Sequence, residues 1–436
     1  MADQFAARRQ RLMRAIRAPR NAEYGSAAVF ASGHEALRNG DVSYEFRQTS
    51  TFYYLTGFEE PDAVAVLRPG TDQPYVLFVR PRDPDRAIWD GPRAGVGGAI
   101  EDFAADAAYP IDELSTRLPQ LLGESDSIYF SLGSDQAVEK IVTTAVGRRR
   151  RAPNNVEEIV DPFALVAEMR LLKSAAEVRS LQRAVNVTGA GLAAAIRATQ
   201  PGMYEYEVKG VLQAEYRRRG SLHDGFPAIV AAGKNACVLH YPLARERIED
   251  GDLLLVDTGA EVDYYGADIT RTFPVNGHFT EAQRDVYQVV LDAQAAAIEI
   301  VAPGVLHEDV HIAALKVVVA GLRRLGVLSG RTDRLIRENA HRPYFMHGTS
   351  HWLGLDVHDV GSYRDGDGPV TLAPGMVITV EPGIYFGEGV KAPRRLRGIG
   401  VRIEDDILVT RDGHRNLSAA IPSDPDELEA LVGLDA

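Results

Sequence analysis

Two periods alternate along this chain, and the places where one gives way to the other divide it. Short apolar or alternating runs at 27–30, 52–56, 63–67 and 76–79 predict strands. Helical spacing follows at 112–122 and 135–146. Gly95, Val96, Gly97 and Gly98 interrupt the pattern. They lack the Lys-Ser/Thr of a phosphate loop and the spacing of a dinucleotide fingerprint, so a flexible loop is predicted there. Trp89, in IWDGPR, fits neither period and reads as a loop residue presented to a ligand or to another subunit. Four basic residues at 148–151 then lead into Ala-Pro-Asn-Asn, a solvated helix end entering a linker. A boundary is therefore expected near 152–172. The first half is an α/β domain without a concentrated cluster of acids or histidines.

Beyond the boundary, Ser174 and Glu177 form a capping-box pattern that opens a helix running through Arg197. Pro201-Gly202 makes a turn, and a helix over 205–219 stops at Gly220. A strand at 228–232 follows, then Gly233-Lys234-Asn235 and the segment 237–241 with His240. The stretch 253–273, LLLVDTGAEVDYYGADITRTF, reads as two extended segments joined by a polar turn. Helices at 281–301 and 310–325 precede strands at 377–380 and 401–409. The order helix, helix, strands, hairpin, helix, helix, strands suggests an internal duplication of element order, without a residue-level repeat.

Composition narrows the class. At 436 residues, two domains are more natural than one. A net charge of −13, from 48 basic and 61 acidic residues, argues against a nucleic-acid binder. The single cysteine, Cys237, excludes an intrachain disulfide, fits a reducing cytoplasm, and reads as a small buried apolar residue. No apolar run is long enough to cross a bilayer, so no membrane partner is expected. The Arg-rich start resembles a presequence, but Asp3 and the scarcity of hydroxyls favour a first surface helix.

The candidate chemistry lies in the second half. In the 253–273 hairpin, Asp257 ends one strand and Asp268 starts its partner. Two carboxylates in apolar surroundings are costly unless a cation lies between them; the alternative is a surface hairpin with two solvated acids. The stretch HGTSHWLGLDVHDVG carries His347, His351 and His358 but is not a HExxH helix. Glu381 ends an apolar run just before Pro-Gly, and alternation from Gly400 places Arg402, Glu404 and Asp406 on one strand face. Four carboxylates and one histidine form an oxygen-rich set suited to hard or borderline divalent cations such as manganese. Two such cations balance the four charges and, about 3.5–4 Å apart, can share a water held as hydroxide.

In order and context the set Asp257, Asp268, His351, Glu381 and Glu404 resembles that of the pita-bread metallopeptidases. DITRTFPVNGHFT, HRPYFMHGTSHWLGLDVHDVG, VEPGIYF and GIGVRIEDDILVT resemble the Xaa-Pro aminopeptidase (aminopeptidase P) branch of that family. FRQTSTFYYLTGFEEPDAV resembles the first domain of the same branch. Thr258, where the family has a small residue, is the main local departure. The resemblance implies an α/β fold: a creatinase-like domain over 1–170, then a pseudo-two-fold α+β pita-bread catalytic domain over 171–436. It implies two divalent ions, manganese first, with zinc, cobalt or iron(II) as alternatives. Asp257 would hold one metal, Asp268 and Glu404 would bridge both, and His351 and Glu381 would bind the second. Glu381 would also handle the proton of the attacking water. His240, His347 and His358 would position substrate or move protons, Arg402 would orient the carboxylates, and Tyr385 would support them. The implied reaction releases an N-terminal residue from a peptide whose second residue is proline. A homo-oligomer, dimer or tetramer, is expected, and would give Trp89 a role near a neighbouring subunit's site. A prolidase acting on Xaa-Pro dipeptides, a metal-free creatinase-like hydrolase and a non-catalytic peptide-binding module are the alternatives.

Overall fold

The computed structural model describes residues 2–16, 25–123, 125–148, 156, 158–366 and 368–435. Most of the basic run and the linker after it lie outside the described residues. The chain divides into two compact units, Met1–Met169 and Arg170–Ala436.

The first unit is built on a six-stranded sheet in the order Ala107–Pro110, Tyr75–Val79, Val64–Leu67, Ser26–Ala31, Ser127–Tyr129, Glu158–Val160. Ser26–Ala31 pairs antiparallel with Val64–Leu67 and parallel with Ser127–Tyr129, so the sheet is mixed. Val29, Val66 and Phe78 of the sheet share one core cluster with Leu118 and Val142 of two helices. The strands missing from the sequence reading have only three or four residues, too few to show a period.

Three expectations for this unit are corrected. Residues 52–56 are not a strand but part of the helix Ser50–Thr56, which Gly57 ends at φ 68 with its N–H on the Tyr53 carbonyl. Aromatic residues mimic strand propensity, but burial of Phe52, Tyr53, Tyr54 and Leu55 decides the outcome. The glycine run is a helix, Gly95–Glu101, rather than a loop. Gly95 stands at φ +61, where a Cβ would meet Arg82 Cγ at 2.6 Å, so its glycine serves a close approach rather than flexibility. Trp89 is not on a loop either. It lies in the helix Pro84–Asp90, whose cap is Asp83, and it is 83% exposed.

The second unit repeats one order of elements. The helices Ala175–Ala198 and Glu205–Arg218 precede an antiparallel sheet of Ile229–Ala232, Leu253–Thr258 and Ile269–Pro274. The helices Glu281–Glu299 and His307–Arg324 precede a second one, of Val377–Val380, Asp405–Thr410 and Gly413–Asn416. The Ser174 capping box forms as its sequence predicts. Between Leu253–Thr258 and Ile269–Pro274 the chain makes a small hairpin. Asp263 and Tyr264 both have positive φ there, the conformation of a type I′ turn.

One correction in this unit bears on the chemistry. The run 401–409 is two strands, not one: Gly400–Arg402 pairs with Gly383–Tyr385, and Asp405–Thr410 pairs with Val377–Val380. The chain changes sheets at residues 403–404, so Arg402, Glu404 and Asp406 do not share a face by alternation. Buried Arg271 stabilises the switch. Its guanidinium donates to the carbonyls of Thr270, Glu404, Ile421 and Pro422 and to Asp405 Oδ1.

Candidate metal centre

Hairpin register brings the first two acids together. Asp257 pairs opposite Thr270, and Asp268 enters the strand Ile269–Pro274 one residue before its start. Asp257 Oδ2 accepts from Arg402 Nη2 at 2.6 Å, while its buried Oδ1 has no hydrogen-bond partner. The Asp268 backbone N–H donates to Asp406 Oδ2 at 3.2 Å. His351 is fixed from both ends. Its N–H donates to Thr379 Oγ1 (3.2 Å) and its Nδ1 donates to the Trp352 carbonyl (3.1 Å). That hydrogen bond leaves Nε2 with its lone pair facing Asp268 Oδ2 at 3.3 Å and Glu381 Oε1 at 3.6 Å.

Glu381 follows the strand Val377–Val380, and its N–H donates to the Thr349 carbonyl. Glu404, at the sheet switch, accepts from Thr270 Oγ1 at 2.6 Å. Ligand atoms of Asp268, His351 and Glu404 all lie within 4.8 Å of one another.

These donors fit divalent cations. Burial, reinforced by neighbouring carboxylates, pushes Asp268 and Glu404 well above the usual carboxylate range and Glu381 up to about 7. Arg402 reaches Asp257 but offsets only one charge. A carboxylate-rich set with one imidazole nitrogen and an unsatisfied Asp257 oxygen suits oxygen-preferring or borderline metals.

A stability prediction follows for chelated protein. An ordinary glutamate titrates near 4.5, and Glu381 in the fold near 7, so between these values the folded state holds more protons than the unfolded state. Glu381's own contribution is then greatest on the acid side and is lost as pH rises through about 7, while His307 and His347, lowered from 6.5 to about 4 and about 3, act in the opposite sense as pH falls below 6.5. In chelated protein the melting temperature of the parent relative to Glu381→Gln is therefore expected to fall by several degrees from about pH 5 to about pH 8, and cation loading should raise the parent's alkaline value most. A difference between parent and variant that stays constant with pH would contradict this.

All five groups, with Arg402, His240, His347 and His358, line one cavity of about 480 Å³. Arg402 Nη1 donates to the Tyr385 hydroxyl (3.0 Å), which in turn lies 2.8 Å from His347 Nε2. His347 Nδ1 donates to the Gly348 carbonyl, leaving Nε2 to accept from the phenol. Burial, with Arg402 nearby, lowers His347 to about 3, so the ring is neutral. The ring of His358 packs edge-on to His351 with centroids 4.5 Å apart, and burial lowers it too. Trp89 belongs to the first unit.

Sequence reasoning missed the apolar wall of Phe226, Pro227, Ile229, Leu239 and Val357. It also missed Asp406 as the acceptor behind Asp268. The one signal for the wall was its closeness in sequence to the strand at 228–232 and to His240. Cys237 is half-buried rather than buried, with its thiol pushed up to about 11 by burial.

Fold and site together define a metal-dependent hydrolase whose carboxylates sit at or beside the ends of strands in a twice-built α+β unit. Residues 179–411 match the model of metallopeptidase family M24, and residues 5–129 match the aminopeptidase P N-terminal domain. The chain belongs to metallopeptidase family M24, and its second unit has the pita-bread fold. It is 42% identical over 435 residues to the Xaa-Pro aminopeptidase of Escherichia coli (strain K12), covering 98% of this chain and 97% of that protein. The solved structure of Pseudomonas aeruginosa aminopeptidase PepP matches with a TM-score of 0.95 at 42% identity, covering 99% of this chain and 98% of that one. Zinc-substituted E. coli aminopeptidase P in complex with product matches with a TM-score of 0.94 at 41% identity, with the same coverage. Among the described residues no helix is long and apolar enough to cross a membrane.

Proposed function

We propose that this enzyme is a Xaa-Pro aminopeptidase, releasing the N-terminal residue from peptides with proline in second place. The observation that carries the reading is the convergence of Asp257, Asp268, His351, Glu381 and Glu404 in one cavity with an apolar wall. Divalent cations bound there would polarise the scissile carbonyl and lower the pKa of the attacking water. Asp257 would hold one cation, His351 Nε2 and Glu381 the other, and Asp268 and Glu404 would contribute to both.

The chain's own groups do the rest. Glu381 takes the proton of the attacking water and passes it to the leaving proline nitrogen. That nitrogen belongs to a tertiary amide with no N–H, so recognition rests on the carbonyl and on the ring shape. The apolar wall suits the pyrrolidine ring, and the acidic cluster suits the free α-amino group. His347 stays neutral and lines the cavity with both ring nitrogens engaged, by the Gly348 carbonyl and by the Tyr385 hydroxyl. His358 and His240 line the same cavity and are the imidazoles available to the substrate.

Arg402 holds Asp257, Tyr385 and Thr270 at once. Arg402→Lys keeps the charge but loses this fork, and is expected to cost about 10–100-fold in metal affinity or activity. A variant equal to the parent in both would remove Arg402 from the machinery.

Two manganese ions per chain, a cytoplasmic location, a homo-oligomer and a role for exposed Trp89 at a subunit border complete the proposal. Prolidase activity is not favoured, since the relatives matched over nearly the whole chain are aminopeptidases. Metal stoichiometry measured beside cleavage of an Xaa-Pro-Yaa tripeptide and an Xaa-Pro dipeptide tests this. Tripeptide turnover at about two metals per chain is expected. Turnover of the dipeptide alone would overturn the assignment.

A further inference from the structure

Glu205 takes no part in the chemistry described above and does not line the cavity. It opens the helix Glu205–Arg218, and its side chain is completely buried. Oε1 accepts from the Ala232 N–H (2.8 Å) and from Asn235 Nδ2 (2.9 Å). Oε2 accepts from the Tyr241 hydroxyl (2.9 Å) and from the Glu246 N–H (3.0 Å). The Glu205 N–H itself donates to the Glu246 carbonyl at 3.1 Å. Each partner lies within residues 232–246. That segment has little regular structure beyond a short turn, Gly233–Cys237, yet it supplies Leu239, His240, Tyr241 and Pro242 to the cavity.

The cost of burying this carboxylate is offset by these donors together rather than by a cation. Three elements are thereby tied to one side chain. They are the start of a helix, the end of the strand Ile229–Ala232 beside the strand that carries Asp257, and the segment that carries His240. Burial holds the Tyr241 phenol up at about 12, so it remains a donor across the working range.

We propose that Glu205 is a positioning residue. It fixes the 232–246 segment, and with it the distance of His240 and the neighbouring apolar wall from the metal ligands. This deepens the aminopeptidase reading and rests on it for its kinetic consequence. The mechanical claim stands on the hydrogen bonds alone.

The chain provides its own reporter. Cys237 is the one cysteine, lies in the same segment, and is half-buried with its thiol held at about 11. In metal-loaded Glu205→Gln, one acceptor oxygen becomes a donor facing donors. Labelling of Cys237 by an aromatic disulfide at about pH 8 is expected to run roughly tenfold faster than in the parent. KM for an Xaa-Pro-Yaa tripeptide should rise by a similar factor, with kcat changed less than about threefold and metal content unchanged. Tyr241→Phe, which removes one donor, should move both readouts the same way by less. It also carries the test should Glu205→Gln not fold. Val319→Ala, a core change in another helix, serves as the stability control and should leave both readouts in place.

The proposal is overturned if Cys237 labelling stays at the parental rate in the variants, or if Val319→Ala accelerates it equally. It is also overturned if labelling rises while KM stays fixed, because the segment would then move without consequence for the site. Labelling needs no turnover, so a failure of the peptidase reading remains distinguishable from a failure of the anchor.

Discussion

Asp268→Asn is expected to leave the enzyme at least roughly 10³-fold less active, with metal content below the parent's. Asp268 sits where the demands on a carboxylate are highest. It is buried, and Asp257, Glu381 and Asp406 all raise its pKa. Its Oδ2 is 3.3 Å from His351 Nε2, so it faces the same point as the imidazole lone pair. The amide is nearly isosteric, so packing is kept while the charge and one acceptor are lost. Glu404→Gln should behave alike. Thr270 already occupies one of its oxygens, leaving the other to face the cluster. Metal analysis and a tripeptide assay on the same preparation check both. Turnover retained with the parent's metal content in either variant would count decisively against the metal role.

His358→Ala is expected to lower kcat roughly 10²–10³-fold with the metals still bound. The histidine sits on a stretch of chain that is held without its help. Arg170 and Lys173, both buried, grip the Asp359 carboxylate, and Arg170 also reaches Asp356 at 2.7 Å. The Asp359 N–H donates to the Trp352 carbonyl at 2.9 Å. Truncating the imidazole therefore removes a group facing the cavity while its backbone stays in place. Should the variant instead lose its metals, His358 would have to be redrawn as a ligand.

Much of this site is legible along the chain because its donors end runs that alternate or are uniformly apolar. Asp257 closes one such run and Glu381 stops another just before Pro-Gly, so local pattern alone marks both. Glu404 is harder. Alternation holds over 400–404 and breaks at three consecutive acids, Glu404, Asp405 and Asp406, an irregularity that does not by itself say that the backbone leaves one sheet for another at 403–404. The cause lies far off, in Arg271, whose guanidinium donates to the Glu404 carbonyl and to the Asp405 carboxylate at that switch. The aromatic helix Ser50–Thr56 and the glycine helix Gly95–Glu101 misled for a related reason. Tertiary packing outweighed their residue preferences. Glu205 was invisible as more than an acid at a helix start, because its partners lie 27 to 41 residues away.

The sheet switch has a consequence for biosynthesis. Arg402 and Asp257 are 145 residues apart, and Glu404 is the last of the five donors to be synthesised. A nascent chain therefore grows by 145 residues past Asp257 before the guanidinium partner of that acid exists, and the fourth carboxylate, Glu404, comes later still. Completion of the cation site has to wait until that final segment has joined both sheets.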